Sequence, residues 1–452
     1  MDHSATPVSA AWSLSELIRR IETRDYRIAI VGLGYIGIPL AIAAWRAGFA
    51  VTGLDTDAER VERINGGESY IKHIPRALIA EMAGSGRFAA TTEPGALQQA
   101  DAIVIAVPTP LTRNREPDLG YVEAATRTIA AQLRPGQLVV LESTTWPGTT
   151  DELVRPILEA GGLKSGSDVF IAFSPEREDP GNLDFQTSTI PKVVGGDGAD
   201  ALALANALYA ALVVRTVPVS STATAEAVKL TENIFRAVNI ALVNEMKVIY
   251  DRMGIDVWEV IDAAKTKPFG FMPFYPGPGL GGHCIPVDPF YLTWKAREYD
   301  IETKFIELAG QINKSMPFYV VDRLAEALDR AAGRGLRGAR ILVIGVAYKK
   351  NIDDMRESPS LRLIELLRAR LAEVDYHDPF VPVIPTMREH PALAGLVSVP
   401  LSAEAIAAYD AVLIATDHDG IDYKSLAKQA RLVVDTRNAC QRAGATGRIV
   451  KA

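Results

Sequence analysis

Cys284 stands in GPGLGGHCIPVDP, residues 277–289, a stretch made of little but glycine and proline. A thiol that only packs would more usually sit in an apolar strand or helix. Gly277, Gly279, Gly281 and Gly282, with Pro276, Pro278 and Pro286, describe a loop of fixed shape that lets a ligand approach backbone N–H groups. Asp288 follows within the same segment and offers a carboxylate near the thiol. Three readings of Cys284 compete: a nucleophile, a metal ligand with His283 and Asp288, or an inert thiol. The metal reading lacks further ligands at suitable spacing, so no metal is expected. The nucleophile reading is preferred because the same chain carries a dinucleotide fingerprint. Cys440, in DTRNACQRAG, has no comparable setting and is expected to be inert.

Other residues extend the list. Lys229 and Asn233 are spaced to share one helical face, where an ammonium and an amide could steady an alkoxide developing on a bound substrate. Exposed helix surface is the competing reading. Thr144 in ESTTWPG and Glu176 in FSPERED follow predicted strands at the carboxyl edge of a sheet, where open α/β sheets bind ligands. Thr144 also reads as an ordinary turn residue. Glu176 could act as a general base or hold a water.

Gly32, Gly34 and Gly37 form G-x-G-x-x-G between a predicted strand and a predicted helix. The first permits the tight turn, the second lets backbone approach a pyrophosphate, and the third allows close helix packing. Asp55 closes the next strand at the position where an acid accepts both ribose hydroxyls and repels a 2′-phosphate, so NAD is expected rather than NADP. Arg60 could contact that ribose or be solvated. The corresponding turn near the C-terminus, VIGVAYKKNIDD, keeps only Gly345 of the pattern and substitutes Tyr348, Lys349 and Lys350. It has lost the dinucleotide fingerprint. Lysines at such a crevice could hold another phosphorylated nucleotide, such as the uridine diphosphate of a sugar nucleotide, or be a solvated basic turn.

The elements that position these residues are legible in the alternation of the chain. From residue 27 the pattern reads strand, turn, helix, strand through RIAIVGLGYIG, PLAIAAWRAGF and AVTGLDTD, and further strand candidates in DAIVIAVPTP, LVVLESTTWPG, VFIAFSPE and TVPVS are separated by helix-compatible segments. A second round runs through ARILVIGVAY, AEVDYHDP, DAVLIATDH and RLVVDTRN. DAIVIAVPT and DAVLIATDH read as the same strand used twice. The expected fold is α/β, with two Rossmann-like doubly wound parallel-sheet domains joined by a long central helix. The expected boundaries are 1–215 for a dinucleotide-binding domain with a short N-terminal helix over 13–23, 216–324 for a helical linker carrying the cysteine loop, and 325–452 for the second Rossmann-like domain. Ser220 to Met253 has no internal glycine or proline and repeats apolar residues at helical spacing, which predicts the joining helix. Its apolar face predicts a homodimer or larger assembly.

The totals agree. The 452 residues are 48% apolar with a net charge of −7 and no basic cluster, which speaks against nucleic acid or a membrane surface as partner. Two cysteines cannot build a disulfide framework, and the N-terminus lacks the pattern of a signal peptide, so a reducing, cytoplasmic setting is expected.

The glycine fingerprint with Asp55, VPTP, EST…PG, SPE, E-x-x-K-L-x-E-N, GGHCIPVD and AYKKNIDDMRESPS together resemble the UDP-glucose/GDP-mannose dehydrogenase family, in order from about Arg27 to Asn438. The segments FMPFYPGPGLGGHCIPVDPFYLTWKAREYD and IELAGQINKSMP look most like the UDP-N-acetylglucosamine 6-dehydrogenase branch, whose products feed surface polysaccharides. The resemblance implies a four-electron oxidation of the sugar C6 alcohol to a carboxylate, with two NAD molecules reduced in turn. It implies that Cys284 is the nucleophile, forming a thiohemiacetal and then a thioester. Lys229 and Asn233 would steady the oxyanions, Asp288 would position water or relay protons, and Thr144 and Glu176 would hold the hydrolytic water. Gly32 to Gly37, including Tyr35 and Ile36, with Asp55, Arg60 and the Val107–Thr109 strand end, would bind the cofactor, Thr144 beside them and Arg356 reaching it from the second domain. The loop Tyr275–Gly281 would wrap the sugar nucleotide, and Tyr348, Lys349 and Arg437 would complete the UDP pocket.

One departure stands out. Many members carry an arginine upstream of the glycine loop that reaches a neighbouring subunit's substrate, whereas AAKTKPFGFMPFYPG has only Lys265 and Lys267. A lysine supplies charge without bidentate phosphate binding. Two other readings remain: a two-electron hydroxyacid dehydrogenase, which leaves Cys284 unexplained, and a non-catalytic nucleotide-sugar sensor, which has no need of a thiolate.

Overall fold

The computed structural model describes residues 13–71, 74–112, 116–177, 187–282 and 285–452. The chain divides into two compact units, Met1–Glu232 with Phe290–Tyr299, and Asn233–Pro289 with Asp300–Ala452. A single helix, Thr222–Met253, runs from the first into the second. Among the described residues no helix is long and apolar enough to cross a membrane.

The first unit is built on a sheet with strand order β3-β2-β1-β4-β5-β6-β7-β8. Its strands are β1 (Arg27–Val31), β2 (Ala50–Leu54), β3 (Phe88–Thr91), β4 (Ala102–Ile105), β5 (Leu138–Leu141), β6 (Phe170–Phe173), β7 (Lys192–Gly196) and β8 (Thr216–Val219). The sheet is parallel from β3 through β6, but β7 runs antiparallel to β6, and β8 parallel to β7. Strands buried on both faces explain the unbroken apolar runs: every residue of Ala102–Ile105, Leu138–Leu141 and Phe170–Phe173 is buried. Each such Val, Leu, Ile or Phe contributes about 1.5–3 kcal/mol by leaving water. The helix read over 13–23 forms as Leu14–Glu22, seating Leu17 and Ile21 in the core.

The second sheet has order β10-β9-β11-β12-β13 and is wholly parallel. Its strands are β9 (Arg340–Ile344), β10 (Glu373–His377), β11 (Ala411–Ile414), β12 (Val433–Asp435) and β13 (Ile449–Lys451). The repeated strand motif repeats its anchoring as well. The Asp101 carboxylate before β4 accepts from the Arg27 amide at 2.9 Å, and the Asp410 carboxylate before β11 accepts from the Arg340 amide at 2.8 Å.

The expected joining helix forms over Thr222–Met253, and a second long helix, Phe305–Ala332, continues through Pro317. Proline lacks the N–H that would bond the carbonyl of Asn313 one turn back. Gly279 packs beside that carbonyl and the Pro317 ring, where a β-carbon would lie 3.3 Å and 3.6 Å away respectively.

Candidate active site

In the first unit the fingerprint glycines divide into two kinds. Gly32 has φ +97°, and a β-carbon there would lie 2.6 Å from the Ala106 carbonyl oxygen; one on Gly37 would lie 1.8 Å from that of Gly32. Both positions are closed by backbone. A β-carbon on Gly34 would meet nothing within 4 Å, which leaves the middle of the turn open to a ligand. Asp55, its side chain 8% exposed, accepts from the Leu33 amide at 2.8 Å and the Asp57 amide at 3.0 Å, and Arg60 Nη1 lies 3.8 Å away. Each carboxylate oxygen keeps a lone pair for a further donor. Gly34, Tyr35, Asp57, Arg60, Arg63 and Tyr70 line an open cavity of about 350 Å³, and the Tyr70 hydroxyl donates to the Leu33 carbonyl. An open glycine, a carboxylate with spare acceptor capacity and a cavity beside them fit the adenosine end of NAD. Ile36 and Val107 are half-buried. The Val107 carbonyl accepts from Ser143 Oγ at 2.7 Å, and the buried Thr109 carbonyl from Tyr291 at 2.7 Å.

Thr144 and Glu176 occupy matching places, because Leu141 and Phe173 pair across β5 and β6 and each candidate follows three residues later. Thr144 is half-buried and Glu176 buried. Lys229, also buried, donates from Nζ to the main-chain oxygen of Glu176 at 2.5 Å. The Glu176 carboxylate takes a bond from Lys192 Nζ at 3.1 Å, and the same ammonium lies 2.9 Å from Glu142, which also accepts from the Tyr209 hydroxyl at 2.5 Å. Burial pushes the Glu142 carboxyl up against the pull of Lys192. Burial alone would push Lys192 down, but the two carboxylates outweigh it and hold the ammonium charged.

Glu226 lies one turn before Lys229 and is fully buried. It accepts from the amides of Gly148 and Thr150 at 2.5 Å and 2.9 Å and from Thr150 Oγ1 at 2.7 Å, tying the turn after Thr144 to the long helix. Burial pushes its carboxyl up to about 7, above what these bonds restrain.

In the second unit, Asn233 Nδ2 donates to Asp288 at 2.5 Å, both side chains buried. Cys284 and His283 lie outside the described residues. The glycine loop before them packs on the expected nucleotide residues. A β-carbon on Gly277 would lie 2.6 Å from Arg437 Nη1, one on Gly281 2.5 Å from Tyr348 Cβ, and one on Gly282 2.9 Å from the Tyr348 ring. The Gly277 amide donates to Asn244 at 3.0 Å, Asn244 donates to Asn313 at 2.9 Å, and Asn313 donates to the Ala237 carbonyl at 3.2 Å. Two buried amides thus hang the loop from the long helices. Burial lowers the pKa of Arg437, whose Nε donates to the Ala415 carbonyl at 2.8 Å.

Lys349 is half-buried in the same turn as Tyr348. Lys350 instead forms an ion pair with Asp419 at 2.9 Å on the surface. The guanidinium of Arg356 is held by Asp354 at 2.6 Å, and its carbonyl accepts from Gly282 at 2.9 Å. Tyr275 is 42% exposed and donates to Asp262 at 2.7 Å, where Lys265 also pairs at 2.6 Å. Lys267 lies over the Phe269 ring at 4.9 Å. Sequence reasoning passed over Lys192, Glu142, Asn244 and Asn313. The available signal for the first was a lysine opening an apolar strand, IPKVVGG, and for the second an acid closing LVVLE.

Comparison with known proteins covers most of the chain. Family models for the UDP-glucose/GDP-mannose dehydrogenase family match as the NAD binding domain over residues 26–213, the central domain over 223–315 and the UDP binding domain over 342–442. A UDP-N-acetyl-D-glucosamine 6-dehydrogenase of Pseudomonas aeruginosa is 35% identical over 87% of this chain and 91% of its own. An NDP-N-acetyl-D-galactosaminuronic acid dehydrogenase of Ralstonia nicotianae is 38% identical over 91% of this chain and 96% of its own. The solved structure of a UDP-D-ManNAc dehydrogenase from Pyrococcus horikoshii superposes with a TM-score of 0.83 at 35% identity, over 94% of this chain and 99% of that one. With its NAD, central and UDP domains in order, the chain belongs to the UDP-glucose/GDP-mannose dehydrogenase family of NAD-dependent nucleotide-sugar dehydrogenases.

Proposed function

We propose that the protein oxidises the C6 alcohol of a UDP-N-acetylhexosamine to the uronic acid, with UDP-N-acetylglucosamine as the first substrate to test. The observation that supports this reading is the packing of Gly277, Gly281 and Gly282 on Arg437 and Tyr348, the residues expected to hold UDP. Relatives whose names cite N-acetylglucosamine, N-acetylgalactosaminuronic acid and N-acetylmannosamine support the N-acetylhexosamine class at comparable identity.

Gly32, Gly34, Gly37, Asp55 and Arg60 hold NAD, which supplies the hydride acceptor. Lys229 and Asn233 donate to the oxygen on C6 as negative charge develops there. The C6 alcohol gives its hydroxyl proton to the relay at Asp288 and a hydride to NAD; the Cys284 thiolate then adds to the resulting aldehyde carbon, giving a thiohemiacetal, and loss of that adduct's hydroxyl proton and of a second hydride, to a second NAD, leaves a thioester. Water held by Thr144 attacks that carbonyl, Glu176 takes its proton, and the thiolate leaves, while Asp288 relays protons beside Asn233. The loop Tyr275–Gly281 encloses the sugar nucleotide, and Lys349 and Arg437 neutralise its diphosphate. A homodimer accounts for Phe235, Leu242 and Ile249, a stripe along the long helix 47%, 51% and 50% exposed.

A substrate panel tests the reading: UDP-N-acetylglucosamine, its galacto and manno epimers, and UDP-glucose, each followed by NADH release. Two NADH per N-acetylhexosamine oxidised are expected. One NADH per substrate would mark a two-electron dehydrogenase, and none from any of the four would defeat the proposal.

A further inference from the structure

The geometry points to Lys192 as a positioning residue for thioester hydrolysis: its buried ammonium, shared between Glu176 and Glu142, fixes the Glu176 carboxylate, three residues beyond β6 as Thr144 is beyond the paired β5, in the ionised form that accepts a proton from water. This rests on the reading of Glu176 as the base for that step. Lys192 is 3% exposed, Glu142 0% and Tyr209 0%, so the cluster places charge where burial is costly unless every member is paired. Each is. Tyr209 caps one oxygen of Glu142 at 2.5 Å and Lys192 bonds the other at 2.9 Å, which keeps the ammonium 3.1 Å from Glu176 Oε2.

Glu176 is thereby held at both ends. Lys229 ties its main-chain oxygen, Lys192 its Oε2, and the Arg177 amide its Oε1 at 2.7 Å. The Arg177 guanidinium is engaged elsewhere, with Glu232 at 2.6 Å and the Pro191 carbonyl at 2.6 Å. The nearby charges are thus of opposite effect: Lys192 favours the carboxylate of Glu176, and Glu142 opposes it. A cluster needed only for folding gives no reason for one cation to be divided between an inert acid and the acid at the end of β6 opposite Thr144.

The test is the pH profile of steady-state NADH release, with acid-quench mass spectrometry of the adduct on Cys284. Lys192→Gln is expected to slow release about 10- to 100-fold at neutral pH, to accumulate the thioester, and to move the acid limb upward by about 1–3 pH units, so that alkaline conditions restore turnover. KM for both substrates should change by less than about threefold. Glu142→Gln keeps the shape of the cluster and removes the opposing charge, so its limb should move to lower pH. Limbs moving in opposite directions are not a signature of damaged packing. With Glu176→Gln impaired, a wild-type limb in Lys192→Gln, or a deficit that pH does not rescue, overturns the inference. The same holds if both variants shift the same way, a result that Glu142→Gln alone can deliver should Lys192→Gln not fold. A wild-type rate in Glu176→Gln removes the underlying reading and this inference with it.

Discussion

The two Rossmann-like halves use one device to opposite ends. In the first, Asp55 after β2 accepts from the amides of Leu33 and Asp57, and Asp57 lines the neighbouring cavity. In the second, Asp378 after β10 accepts from the Val346 and Ala347 amides at 2.8 Å and 3.2 Å, and from His418 Nε2 at 3.0 Å, with both side chains 0% exposed. The His418 Nδ1 accepts from the Asn351 amide at 3.0 Å, which leaves the ring proton on Nε2, facing Asp378. The turn glycines agree in conformation, φ +97° at Gly32 and +82° at Gly345, and their amides donate alike to the neighbouring strand, at 2.8 Å to the Leu54 carbonyl and 2.8 Å to the His377 carbonyl. What differs is the carboxylate's last partner. An acid with spare acceptors can take ribose hydroxyls; one sealed by an imidazole serves the fold.

That contrast breaks first at the nucleophile. Replacing Cys284 by Ser should cut net oxidation at least about a thousandfold while both ligands still bind, because the thiolate acts only in the chemical steps. Equilibrium binding and NADH release measured together check it, and an unchanged rate removes Cys284 from the mechanism.

The sealed carboxylate comes next. Asp378→Ala leaves His418 and the amides of Val346, Ala347, Phe380 and Val381 without their acceptor and should cost about 3–5 kcal/mol of stability with little change in KM for NAD. Denaturant unfolding and cofactor kinetics check the two halves of that statement.

Buried carboxylates also give the two units opposite responses to pH. Burial works against the charge on Asp378, but His418 and the amides around it hold the carboxyl below its usual range. Its contribution is present above the ordinary carboxyl pKa and is lost on acidification below it. Glu226, pushed up to about 7 from 4.5, behaves the other way: stability is greatest below pH 4.5 and is lost as pH rises toward 7. The Glu226 loss is on the order of 3 kcal/mol, and Glu226→Gln should flatten the thermal stability profile across that window. The smallest expected effect lies at the open carboxylate, where Asp55→Ala should raise KM for NAD about 10- to 100-fold and leave KM for the nucleotide sugar unchanged.

Much of this was legible in the residues themselves. Glycine spacing marked the turn at Gly32 because only glycine survives where backbone lies 1.8 Å and 2.6 Å from a β-carbon position. Unbroken apolar runs marked most strands, because those strands are buried on both faces. Strands β3, β7 and β13 were not among the segments read as strand. FAAT carries little β preference, IVK is short, and KVVGG opens on a lysine and ends on glycines that the neighbouring Ser221 and Leu202 backbones require. The antiparallel turn of β7 against β6 has no local signature at all. Within the site, Lys229 and Asn233 could be paired by helical spacing, whereas Lys192 meets Glu142 across 50 residues and Asn244 meets Asn313 across 69. No periodicity encodes such meetings.

The helix Thr222–Met253 has a further consequence, because Glu226, Lys229, Asn233 and Asn244 are fixed on one uninterrupted rod. Asn233 and Asn244 stand close to three whole turns apart, about 17 Å, so they project from the same side of it. Deleting one residue anywhere between them would swing Asn244 through about 100° from that side, dropping the anchor of Gly277, although no contacting side chain had been changed. The rod works as a ruler, and its length is as strictly prescribed as any residue along it.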